Sequence, residues 1–233
     1  MVDRPVGLCQ ASVVPASTPA RSDPSQDPSQ DPSQRPARTR LLDTARRLFY
    51  GEGIHAIGVA RIAAEAGVTK ATFYDHFPGK DQLVRAYLEE VHRGDVTTIE
   101  AATRHRGDPQ GALLALFDVA IDRARDPGYR GCPYINAAAE YPDPAHPVRV
   151  VIEEHRAWLR DHCAALLRAA GHPEPEDAAR MLVLLWDGAA VGGYFDNADT
   201  VEPAVRRAAR ALLTPATPHA GARASRGRPG PSA

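Results

Sequence analysis

The stretch Ala63–Lys80, AAEAGVTKATFYDHFPGK, limits the fold of this chain more than any other. It reads as the end of one helix, a glycine turn, a short second helix and a basic residue that opens a third. Ala63 offers a small side chain where two helices cross. Four residues later Gly67 supplies the turn, because glycine reaches positive φ without steric cost. Val68 is expected to bury beneath that turn, and Thr69 is suited to cap the helix that follows. Phe73 and Phe77 lie four apart, so they share a helix face and pin it to a core.

The rest of the chain follows the same helical logic. Leu41, Leu42, Ala45, Leu48 and Phe49 recur with 3.6-residue periodicity, and Gly51 and Gly53 close that helix. Val59–Ala66 is a short helix with Ile62 and Ala63 inward and an Arg61/Glu65 pair at i,i+4 spacing. Thr69–His76 is the next. Lys80 starts a fourth, with Leu83, Val84, Tyr87, Leu88 and Val91 on one face. Later helices are expected over 109–125, 132–140, 146–170, 175–195 and 201–213, with Pro109, Pro127-Gly128, Pro142-Asp143-Pro144, Gly171-His172-Pro173 and Pro203 marking their limits. No stretch alternates with period two for long enough to read as a strand, so an all-α fold is predicted.

Four segments follow from this pattern. Residues 1–34 are rich in Pro, Ser, Gln and Asp, with DPSQ in tandem at Asp23, Asp27 and Asp31; such a segment buries too little apolar surface to offset its ordering entropy, and disorder is expected. Residues 35–95 hold the helix, turn and helix. Residues 96–213 form a second helical domain, and 214–233 a disordered basic tail with Arg223, Arg226 and Arg228.

The net charge is −1, so attraction to a polyanion must be local. Between Arg35 and Leu88 there are nine Lys/Arg and five Asp/Glu, a balance of +4, and the chain's two lysines, Lys70 and Lys80, both fall there. Cys9, Cys132 and Cys163 are odd in number and widely spaced, which fits neither a metal site nor a disulfide framework and points to a reducing cytoplasm. The N-terminus carries no basic region followed by a long apolar run, so no signal peptide is expected. No uncharged apolar run is long enough to span a bilayer, and no membrane contact is expected.

A helix, a glycine turn and a second short helix is the layout that lays its second helix in the DNA major groove. Burial of Phe73 and Phe77 leaves Lys70, Ala71, Thr72, Tyr74 and Asp75 on or beside the outer face. Thr69, Lys70, Ala71 and Thr72 lie at the N-terminal end, which meets base edges in such motifs. Threonine and alanine offer a hydroxyl or methyl to a base, and lysine donates to guanine. Tyr74, His76 and Lys80 are donors suited to phosphates.

GVTKATFYDHFPGKDQL, preceded by GIHAIGVARIAAEA, resembles the DNA-binding domain of TetR/AcrR-type transcriptional regulators over roughly Ala37–Tyr87. The resemblance implies that the helix at 69–76 is the recognition helix and that Tyr74, His76 and Lys80 touch the phosphate backbone. It departs at Gly58, where most members carry Thr or Ser, so a backbone contact made by that hydroxyl is in doubt here. For residues 96–213 the resemblance implies a helical domain that dimerises and holds a small-molecule pocket.

Met181–Trp186 is apolar on every side, as befits a helix buried in a core or an interface. Gly188, Ala189, Gly192 and Gly193 follow and allow close helix approach. Helices near 175–195 and 201–213 are therefore expected to pair with their copies about a two-fold axis, presenting two recognition helices to a palindromic double-stranded operator. Aromatic and polar residues in otherwise apolar helices, namely Phe117, Tyr134, Asn136, Trp158 and Trp186, are the candidate pocket residues. His155 and His162 lie on one helix face near Glu154 without further ligands at metal-binding spacing, and are expected to face solvent. Cys132 is a candidate redox or electrophile sensor.

No nucleophile elbow, phosphate-binding loop, zinc-protease helix or dinucleotide fingerprint is present, and no cofactor or metal is expected. The sequence points to a cytoplasmic homodimeric repressor that a small-molecule effector releases from its operator. A regulator without an effector or one that activates, a helical enzyme with a site assembled from distant residues, and an interaction module that has lost DNA binding remain as the other readings.

Overall fold

Helix α1, Ala37–Glu52, carries the apolar stripe anticipated above, and Leu41, Leu42, Ala45, Leu48 and Phe49 are all buried. The computed structural model describes residues 35–104, 106 and 108–213. The DPSQ repeats, Cys9 and the basic tail therefore lie outside the described residues. From Pro36 on, the described residues belong to one compact unit. The described residues form helices and no strand. After α1 come α2 (Val59–Glu65), α3 (Lys70–His76), α4 (Lys80–Arg104), α5 (Pro109–Ala124), α6 (Pro133–Glu140), α7 (Pro147–Ala169), α8 (Pro175–Phe195) and α9 (Ala198–Leu213).

Local chemistry explains most of these limits. Pro109, Pro133, Pro147 and Pro175 each sit at the first position of a helix, where a missing N–H costs nothing. The Asp108 side chain accepts from Gly111 N to cap α5. The last helix departs from expectation. It begins at Ala198, five residues before Pro203, because Asn197 caps it: the side-chain oxygen accepts from Thr200 N at 2.8 Å. Pro203 is carried inside the helix.

Two cores hold the unit together. The first lies under α1–α3 and the start of α4, and it takes in Tyr134 and Ala137 of α6, Tyr141, and Val148, Val151 and Ile152 of α7. The second joins Ile99 near the end of α4 with α5, the C-terminal half of α7, α8 and α9. Helix α4 runs unbroken through residues 95 and 96, where the two expected domains meet. Its N-terminal half belongs to the first core and its C-terminal end to the second.

α6 and its flanking residues add side-chain ties between the helix-turn-helix and the rest. The Glu140 carboxylate accepts from the backbone N–H groups of Ile54 (2.7 Å) and His55 (2.5 Å), both in the loop after α1. Tyr141 donates its hydroxyl proton to Asp81 at 3.0 Å, next to Lys80. Tyr50 donates to Gly131 O at 2.9 Å and accepts from Arg130 N at 2.8 Å. Charge-assisted bonds to backbone N–H groups are about twice as strong as neutral ones, so Glu140 is a firm anchor.

Candidate nucleic-acid interface

The turn before α3 is closed by two backbone bonds, Val68 N to Ala63 O (3.0 Å) and Gly67 N to Ala64 O (3.1 Å). This is a Schellman arrangement with Gly67 in the left-handed position at φ +63°. Arg40 of α1 holds the same turn from below, its Nε donating to Ala66 O at 2.9 Å and a terminal nitrogen to Gly67 O at 3.2 Å. Thr69 caps α3 as its position suggested, accepting from Thr72 N at 3.0 Å. Phe73 and Phe77 are buried, their rings 6.1 Å apart. Full burial of such a ring is worth about 1.5–3 kcal/mol, so these two side chains fix which face of α3 turns outward.

That outer face holds Thr69, Lys70, Ala71, Tyr74, Asp75 and His76, all exposed, with Thr72 half-buried. Tyr74 is 50% exposed and packs edge-on against Phe73. The Thr72 hydroxyl lies 2.8 Å from that of Thr69, so one of the two donates to the other at the helix start. Lys80 is half-buried one turn beyond α3. Burial lowers its ammonium from the ordinary lysine value, while the carboxylates of Glu140 and Asp81 favour the charged form.

α2 is braced against α1 by an ionic ladder. Arg61 bonds Glu65 at 2.7 Å, the pair anticipated from spacing, and also Glu52 at 2.6 and 2.7 Å; Arg47 reaches Glu65 at 2.6 Å. All four groups are substantially exposed, so the ladder orients more than it stabilises. Gly58 caps α2 with no side-chain hydrogen bond. Neither Arg40 nor Glu52 stood out in the sequence, since their partners are 26 and 9 residues away.

The residues proposed to line one pocket are found in three places. Phe117 and Trp186 pack together in the second core, ring centroids 6.4 Å apart. Asn136 is exposed, donates to Arg130 O at 2.9 Å, and borders a cleft between α1 and α6 with Phe49, Tyr50, Tyr87 and Glu140. Tyr134 and Trp158 belong to a third cluster, built on histidines, and Trp158 also packs against the second core.

His155 lies there, and it does not face solvent. It is 4% exposed and stacks on Tyr134 with ring centroids 3.8 Å apart. Its Nδ1 faces His92 Nδ1 at 3.2 Å, so one ring supplies the proton and the other accepts. Tyr134 donates to Asp95 at 3.2 Å, and Arg123 donates to the other Asp95 oxygen at 2.7 Å. His155 Nε2 stands 4.0 Å from Asp95. Burial holds the imidazole neutral, with its pKa pushed down to about 3. His162 is half-buried, stacks on Trp158 and meets the Thr103 hydroxyl at 3.2 Å. His155 and His162 do share one helix face, but its direction depends on α4 and α6, which no local pattern reveals.

Burial likewise pushes the Cys132 thiol up to about 11 and Cys163 up to about 12. The reactive species is the thiolate, so the environment of Cys132 works against redox sensing.

Met181–Trp186 is not buried all round. Leu182, Val183 and Trp186 face the core, whereas Met181 is 48% and Leu184 67% exposed. With Gly188, Val191 and Phe195 they form a stripe at heptad spacing along the outer side of α8. Two of the small residues serve contacts within the chain. A Cβ on Gly193 would stand 2.6 Å from Ala124 Cβ of α5, and one on Gly192 3.1 Å from Val201 of α9; at Gly188 the space is open.

Comparison with known proteins agrees with this architecture. Residues 41–87 match the family model for bacterial regulatory proteins of the tetR family, and residues 109–212 match the model for the tetracyclin repressor-like C-terminal domain. The chain is similar to the crystal structure of SCO4454, a TetR-family transcriptional regulator from Streptomyces coelicolor, at 44% identity and a TM-score of 0.73, covering 76% of this chain and 94% of that one. It is 34% identical over 93 residues to the transcriptional regulator TtgR of Pseudomonas putida, 38% of this chain and 44% of that protein. It is 34% identical over 85 residues to the transcriptional activator FasR of Mycolicibacterium smegmatis, 36% of this chain and 39% of that protein. The chain thus spans less than half the length of these curated relatives, both of them regulators of transcription. Both halves of the fold and the extended likeness to SCO4454 lead to one conclusion: this chain belongs to the TetR family of transcriptional regulators.

Proposed function

We propose that this protein is a homodimeric transcriptional repressor that binds a palindromic operator through α3 and is released by a small-molecule effector. The capped, outward face of α3 carries the DNA-binding part of this reading. Lys70, Ala71 and Thr72 sit at the end of α3 that enters the groove, where they meet base edges. Tyr74, His76 and Lys80 anchor phosphates. Thr69 acts through its cap, because its hydroxyl is engaged with Thr72 N. Gly58 supplies no hydroxyl, which moves backbone anchoring onto the other three.

The stripe Met181, Leu184, Gly188, Val191 and Phe195 supports the dimer. Apolar side chains this exposed at heptad spacing suit a second helix, and a second copy of α8 brings the same surface about a two-fold axis. α9 is expected to join the contact through Ala204, Arg207 and Ala211, which are exposed. Two recognition helices about one DNA turn apart, ~34–36 Å or a multiple, then face successive half-sites. Light scattering at micromolar concentration gives twice the chain mass if this is right, and a monomer refutes it.

For release, the Glu140 bonds to Ile54 and His55 and the Tyr141 bond to Asp81 are the ties through which movement of α6 reaches the helix-turn-helix. An effector that prefers one position of α6 shifts the population of DNA-competent dimers, and a coupling of ~1–3 kcal/mol changes affinity 5–150-fold. The relative FasR is a transcriptional activator, so a second reading keeps the DNA and dimer terms and reverses the sign on transcription. A reporter gene behind the operator separates the two: deletion of the regulator raises expression under repression and lowers it under activation.

A further inference from the structure

We propose that the first turn of α1 is a further part of the nucleic-acid interface, with Arg38 as a phosphate contact held in place by the ring of Phe77. The inference rests on the DNA-binding reading above.

α1 touches both ends of the recognition unit. Arg40 reaches the turn before α3, bonding Ala66 O and Gly67 O. Arg38 reaches the other end, its guanidinium carbon 5.3 Å from the centroid of the Phe77 ring. Phe77 follows α3 directly, between His76 and Lys80 in sequence, and is 3% exposed. One helical turn of α1 thus brackets α3. The N-terminal end of a recognition helix enters the groove, and its far end is left beside the backbone. Arg38 stands at that far end, beside the residues proposed for phosphates.

Three features suit Arg38 to this role. Its side chain is exposed, so the guanidinium edge is open to a ligand. Among the described residues no carboxylate pairs with it, whereas Arg47 and Arg61 of the same lobe are each engaged by glutamates. Stacking on an aromatic face orients the planar fork and leaves its N–H donors free, which is the geometry that phosphate recognition by arginine uses. Arg38 also lies before residues 41–87, the part that matches the family model, so nothing in that match assigns it a role.

Each phosphate contact adds about 0.9 to the slope of log K against log salt on B-DNA. Loss of one contact therefore gives a deficit about 3.5 times larger at ~50 mM than at ~200 mM salt. The experiment is fluorescence anisotropy with a labelled random-sequence duplex, over that salt range, for the wild-type chain, Arg38→Ala and Arg38→Lys. The proposal expects Arg38→Ala to lower the slope by about 0.9 and Arg38→Lys to keep the wild-type slope with weaker binding. Thermal denaturation of each variant is measured alongside, because a merely structural stacking role changes the melting temperature and leaves the slope alone. A wild-type slope for Arg38→Ala overturns the proposal, whatever its melting temperature. A wild-type chain that binds no duplex overturns the functional reading and this inference together, which is a different result.

Discussion

Lowering the pH from 7 to 5 is expected to cost the folded chain about 2 kcal/mol at His155 alone. An unfolded histidine titrates near 6.5, and burial brings His155 in the folded chain down to about 3. A folded value below the unfolded one means that the unfolded chain takes up the proton first. The stability linked to this group is therefore complete above about 6.5, and it is lost as the pH falls toward 3. Each pH unit is worth 1.36 kcal/mol, and pH 5 lies about 1.5 units below the unfolded value. His162, also lowered by burial, acts in the same direction. Asp95 is raised by burial and acts with the opposite sign, in a range that begins at the ordinary aspartate value. The other groups facing His155 are His92 on α4, Arg123 on α5, Tyr134 on α6, and Arg156 and Trp158 on its own helix. Urea denaturation at pH 7 and pH 5, at one protein concentration, for the wild-type chain and His155→Gln isolates the term. The wild-type chain is expected to lose about 2 kcal/mol more than the variant, or about 4–8 °C in melting temperature for a unit of this size. An NMR titration is expected to leave the His155 ring signal flat from pH 7.5 to 5. Equal pH dependence of the two proteins, or a His155 signal titrating near 6.5, refutes the burial argument.

Gly67→Ala is expected to cost about 1–2 kcal/mol, because a Cβ is strained at φ +63° although the space around it is open; thermal denaturation measures it, and unchanged stability contradicts the strain. Gly58→Ser is expected to add a few tenths of a kcal/mol by capping α2 and to tighten DNA binding by restoring a hydroxyl, read by melting temperature and gel shift. Gly193→Ala is expected to destabilise by about 1–3 kcal/mol through collision with Ala124. Gly188→Ala, with open space in the single chain, is expected to stabilise α8 by up to about 1 kcal/mol, and sedimentation of the same variant reports whether the proposed dimer tolerates the methyl group.

Much of the fold was legible because its signals are local. Gly67, Thr69 and the Phe73/Phe77 pair state the turn, the cap and the buried face within eleven residues, and each behaves as its chemistry dictates. Proline at the first helical position made several later helices readable. Misreadings arose where partners are distant. His155 is buried by His92, 63 residues away, and Tyr134 by bonding to Asp95, 39 residues away. The pocket residues were grouped by residue type, and only packing separates Phe117 and Trp186 from Asn136. Met181–Trp186 is a related case: an all-apolar run cannot say which of its faces a single chain covers. At Pro203 a strong breaker signal was outweighed by the Asn197 cap, which lets the helix form before the proline is reached.

The central claim is that α3 and the start of α4 hold DNA, with Lys80 on a phosphate. Gel shifts across a salt series, with the operator selected from fragments flanking its own gene, test it most directly. The account predicts wild-type binding that falls steeply with salt, and a Lys80→Ala variant that binds every sequence more weakly with a slope lower by about 0.9. It also predicts that Lys70→Ala and Thr72→Ala change sequence preference more than overall affinity. A Lys80→Ala variant that matches wild type at every salt concentration, or a wild-type chain that shifts no fragment, would contradict it.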